Sequence, residues 1–192
     1  MSKLYLEEPT MERKEDAIDY INEHLEYGSN INGSGGLDRY LDNYEKWLEK
    51  LENDKTMMPN SERVPALTYF LVREDDKKIV GMINIRLCLN ERLRKSGGNI
   101  GYGIRPTERK KGYNKINLYL ALQVCQEKGL DKVLLDADLD NPASWRTMEA
   151  LGGTRIETYY DEKDKTDCVK YEIDVEKSLK ENKKNYANQI KR

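Results

Sequence analysis

The chain has 192 residues, of which 38% are hydrophobic and 35% are charged. This length and composition predict one domain of ordinary size with a buried core and a well-solvated surface. The formal net charge of −2 argues against a general nucleic-acid-binding protein, because such proteins carry a large excess of basic residues. The first residues lack a secretory pattern and no apolar run is long enough to cross a membrane, so we expect a cytoplasmic protein.

The three cysteines and the single histidine do not form a ligand pattern. Cys88, Cys125 and Cys168 lie far apart, without the spacing of a disulfide framework or a zinc site. We therefore expect core or half-buried thiols and no metal. His24 falls near the end of a predicted helix, where a solitary imidazole is usually a surface or a hydrogen-bonded residue.

The first third of the chain predicts a strand, two helices and a loop between the helices. The strand is expected at residues 4–7, and apolar residues recur at helical spacing over residues 11–26 and again over residues 37–53. The glycine-rich residues 28–36 follow a helix and lack the motifs of a phosphate-binding glycine loop. We expect either a mobile loop beside a substrate entrance or a disordered segment.

The middle of the chain predicts an antiparallel sheet. Residues 68–72 are rich in β-formers and residues 79–87 alternate in hydrophobicity, which predicts a hairpin. A further strand is expected at residues 99–105, although Gly101 and Gly103 weaken it energetically. Such glycines indicate a bulge, or a backbone or ligand that passes close to the strand.

Residues 104–114 combine a strand end, a proline turn, the basic residues 109–111, Gly112 and the start of a helix. A strand that feeds a turn and a helix directs unpaired N–H groups and the positive end of the helix dipole at one point. Between Arg86 and Lys115 there are nine basic residues against two acidic ones, so positive charge is concentrated there. The stretch predicts a binding site for a phosphate group.

The remaining elements complete a mixed α/β order. The helix after Gly112 and the apolar strand at residues 132–137 form a βαβ unit with the strand that precedes them. Asn141 and Pro142 are typical of a helix start, with Asn as N-cap and Pro in the first turn. Residues 155–175 predict a final hairpin.

In this order the elements resemble the GNAT superfamily of acyl-CoA N-acyltransferases. The pyrophosphate loop of that family starts with Arg or Gln and has Gly in the fourth place, as Arg109 and Gly112 do here. An Asn after the next strand, followed by a short helix that ends in Gly, is similar to residues 141–153. Residues 97–106 and 140–144 further resemble a bacterial branch of predicted acetyltransferases.

The resemblance implies an α+β (mixed α/β) fold, with a central, mostly antiparallel sheet of about seven strands, one splayed parallel pair and helices on both faces. It covers residues 1–175 as a single domain and leaves residues 176–192 as a polar C-terminal tail or a frayed helix. It also implies acetyl-CoA as cofactor, with the pantetheine arm between the splayed strands. The cofactor-binding residues would be Ile104, Arg105, Arg109, Lys110, Lys111, Gly112, Tyr113, Asn114, Asn141 and Ser144.

The activity implied is N-acetyl transfer to a primary amine, by direct attack on the acetyl thioester without a covalent enzyme intermediate. An amine with a pKa near 10 needs a general base. Asp136 and Asp138 are candidates, although one could instead face solvent while the other caps the loop to Asn141. Many relatives protonate the leaving thiolate with a Tyr from the Asn-capped helix, but Met148 has that place here, so water or Tyr102 would substitute.

Two further residues depart from the family pattern. Asn114 stands where Gly or Ala is usual, and the loop should survive because Asn tolerates unusual backbone angles. Asn99 stands where relatives of the bacterial branch often carry His, so an imidazole base is missing.

The acceptor would be a small-molecule or peptide amine, and acidic residues in the first two helices, their loop and the last hairpin would suit a cationic amine. A homodimer is compatible with the resemblance. One alternative is a catalytically weak or inactive GNAT-fold module that binds acyl-CoA. An RNA-associated domain is disfavoured, because the net charge is negative and no aromatic platform motif is present.

Overall fold

Seven strands form two sheets that lie side by side. In the computed structural model, which describes residues 2–191, both sheets are antiparallel within themselves. The first contains, in spatial order, β1 (Leu4–Glu7), β2 (Ala66–Arg73), β3 (Ile79–Arg86) and β4 (Ile100–Ile104). The second contains β5 (Lys132–Asp138), β7 (Thr166–Asp174) and β6 (Thr154–Asp161).

Helices cover both faces of the sheets. They are α1 (Lys14–Glu26), α2 (Tyr44–Thr56), α3 (Glu91–Lys95), α4 (Tyr113–Glu127), α5 (Pro142–Ala150) and α6 (Val175–Tyr186). α1 and α2 pack on one face around Tyr20, Trp47 and Phe70. α4 and α6 pack on the other face, where Leu118 and Leu122 are fully buried. The mixed α/β fold with helices on both faces is therefore confirmed. Among residues 2–191, no helix has the length and apolar character to span a membrane.

The two sheets meet where the starts of β4 and β5 lie side by side. Asn99, directly before β4, donates its N–H to the Leu134 carbonyl (2.6 Å), and its Oδ1 accepts from the Leu134 N–H (2.9 Å). The preceding Gly98 is needed there, because a Cβ at that position would overlap the Leu134 carbonyl oxygen. No other hydrogen bond joins β4 to β5 in the described chain, so the strands separate beyond Asn99. This is the splayed pair that the resemblance implies.

The glycine-rich residues 28–36 lie across β4. A Cβ on Gly103 would come within 2.8 Å of the Asn32 carbonyl oxygen, and a Cβ on Gly33 within 2.8 Å of the Gly101 carbonyl oxygen. Gly103 and Gly33 thus allow the two backbones to cross at close range, which explains why Gly103 occurs inside a strand. At Gly101 a Cβ would make only ordinary contacts, the nearest at 3.7 Å from the Gly33 nitrogen. Of the two expectations for this loop, disorder is wrong, because its backbone packs directly on the sheet.

One predicted helix is interrupted. The apolar spacing predicts a helix over residues 37–53, whereas the structure has a single 3-10 turn at Leu37–Arg39 and then α2. The Asn43 side chain accepts a hydrogen bond from the Lys46 N–H (3.1 Å) and so caps a new helix. Leu37 is nevertheless fully buried, so the spacing predicted burial correctly and helix continuity incorrectly.

The C-terminal segment belongs to the fold, which corrects the expectation of a polar tail or frayed helix over residues 176–192. α6 packs against α4, and its Leu179 joins the main core. Beyond α6, Leu4 donates its N–H to the Gln189 carbonyl and accepts from the Lys191 N–H, both at 2.9 Å. Residues 189–191 thereby cover the outer edge of β1, whose backbone groups would otherwise be exposed as a free sheet edge.

Gly98→Ala should destabilise the protein more than Gly28→Ala. The two glycines have nearly the same φ (+57° and +56°), so alanine meets a similar backbone strain of about 1–2 kcal/mol at either place. Only at Gly98 does the new Cβ also meet another backbone, since nothing lies within 4 Å of it at Gly28. We expect Gly98→Ala to lose about 1–3 kcal/mol more of the free energy of unfolding, measured by chemical denaturation. Equal losses would contradict the close contact between the two sheets.

Candidate functional site

Beyond Asn99 one edge of β4 faces the gap between the sheets. Arg105, directly after β4, donates its backbone N–H to Val80 on β3 (2.9 Å). Because backbone groups alternate in direction along a strand, those of Tyr102 and Ile104 point the other way, toward β5. No strand pairs with this edge in the part of the chain that the structure describes. The edge can therefore bond the amides of an extended ligand where a neighbouring strand would otherwise lie.

The segment after β4 leaves a run of backbone N–H groups without partners. A 3-10 turn, Pro106–Glu108, leads into the basic turn and then into α4. Left-handed φ values at Lys110 (+63°) and Gly112 (+79°) bend the backbone sharply. Within residues 2–191, no carbonyl or side chain accepts from the N–H groups of residues 110–114. Together with the positive end of the α4 dipole, these groups form a cradle for an anion.

Buried Glu108 fixes the basic turn to the rest of the protein. Its carboxylate accepts from Arg73 (2.7 Å) and Lys111 (2.7 Å) and pairs with Lys78 (3.3 Å). Burial by itself would raise the pKa of Glu108, but the three cations lower this pKa to about 2. The carboxylate is therefore charged at neutral pH, and it holds the turn in place.

The basic side chains of the turn have different surroundings. Arg109 donates to the Ile104 carbonyl (3.1 Å) and to the Ser29 hydroxyl (2.5 Å), so it ties the turn to the glycine-rich loop. Lys111 is held by the carboxylate beneath it. Lys110 is exposed and forms no ion pair with the residues described. Lys110 is therefore the cation of the turn that is free to meet a phosphate.

Arg105 has a structural role that the sequence did not predict. Its buried guanidinium donates to Asp19 (2.6 Å) and Glu23 (2.9 Å) of α1 and to the Ile79 carbonyl (2.9 Å). Its backbone N–H and carbonyl are also bonded within the protein. Arg105 thus anchors α1 to the end of β4, which corrects its assignment to cofactor binding. The side chain of Tyr113 is likewise buried, so only its N–H faces the cradle.

The first turn of α5 lies against Tyr102. Asn141 caps α5 by accepting a hydrogen bond from the Ser144 N–H (3.3 Å). The Tyr102 hydroxyl lies 3.0 Å from the Ser144 hydroxyl and 3.2 Å from the Ser144 carbonyl oxygen. Burial raises the pKa of Tyr102, so its hydroxyl keeps its proton at neutral pH. Met148, further along α5, is buried in the core and carries no proton to donate.

Asn114 connects the cradle to α5. Its Nδ2 donates to the Thr147 hydroxyl (3.3 Å), whereas its Oδ1 is buried and has no partner among the residues described. An Asn in place of the usual Gly or Ala therefore adds a bond between the two helices, and it leaves one acceptor unsatisfied.

Asp136 lies on the face of β5 that points away from α4. Its Oδ2 accepts from the Gly97 N–H (2.7 Å) and from the Tyr159 hydroxyl (2.8 Å). Its Oδ1 is buried and has no hydrogen-bond partner in the described structure. Burial raises the pKa of Asp136 and outweighs the opposing effect of these bonds and of Lys170. A carboxylate with an unused oxygen and a raised pKa is a candidate proton acceptor.

Asp138 serves the turn before α5. Its carbonyl accepts from the Asn141 N–H (3.0 Å), and its Oδ1 lies 3.7 Å from the Cys168 thiol. This arrangement fits the alternative in which one of the two carboxylates supports the loop to Asn141. Of the two, Asp136 is the better placed for proton transfer.

A cavity of about 950 Å³ opens on the same face as Asp136. Its walls include residues 31–36 of the glycine-rich loop, Asp54 of α2, Asn84 and Arg86 of β3, and Arg92 of α3. This volume is typical of a site for a small molecule. Sequence reasoning missed Asn84, and it counted Arg86 in the basic stretch that ends at Lys115 without assigning it to this cavity. The signal for both is their polar place in an otherwise alternating strand.

The gap is thus bounded differently on its two sides. Tyr102 and Ser144 lie on the α4 side, whereas Asp136 and the cavity lie on the other. A reactive group held between β4 and β5 can be approached by a nucleophile from the cavity. Its leaving group can depart toward the Tyr102 hydroxyl.

Solved structures with a similar fold include three acetyltransferases. The microcin C7 self-immunity acetyltransferase MccE, in complex with acetyl-CoA and AMP, has a TM-score of 0.64 and 16% identity, over 88% of this chain and 91% of that one. The spermidine/spermine N-acetyltransferase SpeG from Vibrio cholerae has a TM-score of 0.64 and 16% identity, over 94% and 98%. The ribosomal-protein-S5-alanine acetyltransferase from Vibrio fischeri has 0.66 and 11%, over 91% and 94%. At these identities the similarity shows a shared fold.

The family model described as the acetyltransferase (GNAT) family matches residues 37–152, which is more than half of the chain. No curated protein matches the sequence. Acetyl-CoA is the acetyl donor in this family, and the site fits it. The unpaired N–H groups before α4 suit a pyrophosphate, and the free edge of β4 suits an amide-containing arm. The chain therefore belongs to the GNAT family of acetyltransferases.

Proposed function

We propose that this protein transfers the acetyl group of acetyl-CoA to the nitrogen of a primary amine by direct attack. The observation that carries the proposal is the run of unpaired N–H groups at residues 110–114, next to the free edge of β4. Acetyl-CoA supplies an activated acyl group, as a thioester, on a long arm that ends in an anionic pyrophosphate. The chain offers a matching surface for each of these parts.

Binding would use mostly backbone atoms. The N–H groups of Lys110 to Asn114 would hold the pyrophosphate, with the exposed Lys110 side chain as an additional cation. Backbone groups of Tyr102 and Ile104 would bond the amide arm, and the exposed Asn141 side chain would lie beside it. The same edge of β4 would direct an N–H group at the acetyl oxygen, which gains negative charge as the nitrogen attacks.

Asp136 would accept the proton of the attacking amine. Because the amine has a pKa near 10, most of it is protonated at neutral pH and must lose a proton before it can attack. The unpartnered Oδ1 of Asp136 would take that proton; this oxygen is buried in the structure, so the amine or one water has to displace its present neighbours to reach it. The nitrogen–carbon bond then forms as the carbon–sulfur bond breaks, and the second proton that the nitrogen loses passes to solvent, from which Tyr102 regains the proton it donates.

Tyr102 would return a proton to the leaving thiolate. Its hydroxyl is kept protonated by burial and lies on the opposite side of the gap from Asp136. Ser144 holds the hydroxyl in position, so this pair would take over the role of the Tyr that Met148 replaces. The similar structures support transfer to nitrogen, because one of them is a spermidine/spermine N-acetyltransferase.

Thermal denaturation with acetyl-CoA, followed by a thiol-release assay with a panel of amines, tests the proposal. Acetyl-CoA at about a hundred times its dissociation constant should add ~2.7 kcal/mol of stability, which raises the Tm of a chain of this size by roughly 5–10 °C. Thiol release that depends on an amine should follow. An unchanged Tm would exclude acetyl-CoA as cofactor. A raised Tm without thiol release for any amine would favour a module that binds acyl-CoA without turnover.

Gly112→Ala should abolish the Tm increase with acetyl-CoA, whereas Gly129→Ala should leave it intact. Both glycines sit at an end of α4 with similar φ (+79° and +75°) and open space around them, so both substitutions introduce the same strain. Only a Cβ at Gly112 would enter the cradle and crowd the pyrophosphate. Cofactor-free Tm values of the two variants should therefore fall equally. A normal acetyl-CoA response in Gly112→Ala would mean that the cradle lies elsewhere.

Asp136→Asn should lower kcat/KM by roughly 10²–10⁴-fold with little change in the acetyl-CoA response. In the wild-type protein the rate should fall as the pH drops through the pKa of Asp136, which burial raises above its usual value. This acid limb should be absent from the residual rate of Asp136→Asn. Asp138→Asn, on the same face of the same strand, is the matched control and should cost far less. If Asp138→Asn were the inactive variant, the base would have to be reassigned to Asp138.

A further inference from the structure

The cavity beside Asp136 has positive charges that the protein does not neutralise. The buried acid in its wall, Asp54, is already paired with Lys50 (2.5 Å) and with Arg63. Other cations in the lining include Arg86 and Arg92, and neither of them forms an ion pair within residues 2–191. The lining as a whole has three acidic side chains, Asp38, Asp54 and Glu62, against six basic ones, so its net charge is positive.

Arg86 is the central cation of this cavity. Its Nη1 donates to the carbonyls of Gly97 (2.8 Å) and Gly98 (2.9 Å). Its Nε and Nη2 have no hydrogen-bond partner among the residues described, and they are not sealed from the cavity. Nη2 lies 3.8 Å from the place that a Cβ on Gly101 would take, and the backbone nitrogen of Gly33 in the glycine-rich loop lies 3.7 Å from the same place.

The surroundings of Arg86 favour an anion. Burial lowers the pKa of Arg86, the nearby charge of Arg92 lowers it further, and the charge of Asp136 opposes both effects. A desolvated guanidinium without a carboxylate in contact is costly, and an incoming anion removes that cost. The unused N–H groups of the planar guanidinium match the paired oxygens of a carboxylate or a phosphate.

Arg86 also lies next to the candidate base. Its Nη1 bonds to the carbonyl of Gly97, while Asp136 accepts the N–H of the same residue (2.7 Å). Arg86 and Asp136 therefore bond the two backbone groups of one glycine, and of these three residues Arg86 is the one that lines the cavity. A small molecule that spans them would turn an anionic end toward Arg86 and an amine toward Asp136.

We infer that the acceptor is a small amine that carries a carboxylate or a phosphate group, which binds to Arg86 with Arg92 near it. The inference rests on the proposed acetyl transfer and adds the substrate class. It replaces the expectation that acidic residues around this site would select a cationic amine.

Thiol-release kinetics with matched pairs of amines test the inference. β-Alanine is compared with β-alaninamide, and phosphoethanolamine with ethanolamine, so that each pair differs in its anionic group; spermidine represents cationic amines. At least one anionic member should exceed its neutral counterpart by about tenfold or more in kcat/KM, as expected for a charge-assisted hydrogen bond at a desolvated site. Added salt should reduce this preference. The pair that responds also tells carboxylate from phosphate.

Substitutions of three arginines locate the effect. Arg86→Gln should remove the preference by raising KM for the anionic member. Arg92→Gln should reduce the preference for the anionic member several-fold. This variant tests the same cavity if Arg86→Gln does not fold. Arg94→Gln is the matched control, because Arg94 is also exposed on α3 but does not line the cavity. The Tm of each variant and its response to acetyl-CoA report whether the fold and the cofactor site are intact.

The outcomes separate this inference from the proposed function. If spermidine or the neutral amines react as well as the anionic ones or better, the substrate class is wrong while acetyl transfer stands. A preference that survives both Arg86→Gln and Arg92→Gln in folded protein would overturn the role of this cavity. If acetyl-CoA raises the Tm but no amine of any charge releases thiol, the proposed function fails, and the inference fails with it.

Discussion

The structure depends on the hydrogen bonds that Asn99 makes between the two sheets. Its N–H and Oδ1 bond to Leu134 of β5, while its carbonyl and Nδ2 bond to the backbone of Arg86 on β3. The buried residue thus satisfies polar groups on both sides and joins the sheets at one end only. Because the bonds stop there, the edge of β4 from Tyr102 onward stays unpaired. A continuous sheet would have closed the site.

The single junction also separates two chemical environments. On the α4 side, the gap is lined by the apolar core and by the hydroxyls of Tyr102 and Ser144. On the other side, Gly33 and Gly103 let the glycine-rich loop lie directly on β4, and the space left between the loop and β3 is polar. In the proposed mechanism a group held in the gap would therefore meet a proton acceptor on one side and a proton donor on the other, which direct transfer between two substrates requires.

Features set by local sequence could be predicted, and features set by distant contacts could not. The turn at Gly112 and the cap at Asn141 depend on neighbouring residues, so both could be predicted, whereas the splayed pair was implied by the resemblance to the GNAT superfamily. From the sequence, Asn99 suggested only that an imidazole base is missing. Its structural role could not be predicted, because its bonds to Leu134 form only where the two sheets meet. Arg105 resembled a residue of the basic turn, yet its partners Asp19 and Glu23 lie far away in the sequence.

The charge of the acceptor site shows why a residue count fails there. Asp54 lies in α2, in the region whose acidic side chains suggested a cationic substrate. In the folded protein, however, the Asp54 carboxylate forms ion pairs with Lys50 and Arg63. Arg86 was counted in the basic stretch between Arg86 and Lys115, but that stretch was assigned to phosphate binding and not to the acceptor site. In the proposed function the charge of the acceptor would depend on which cations the folded protein leaves without an ion pair, and Arg86 is such a cation in the lining of the cavity.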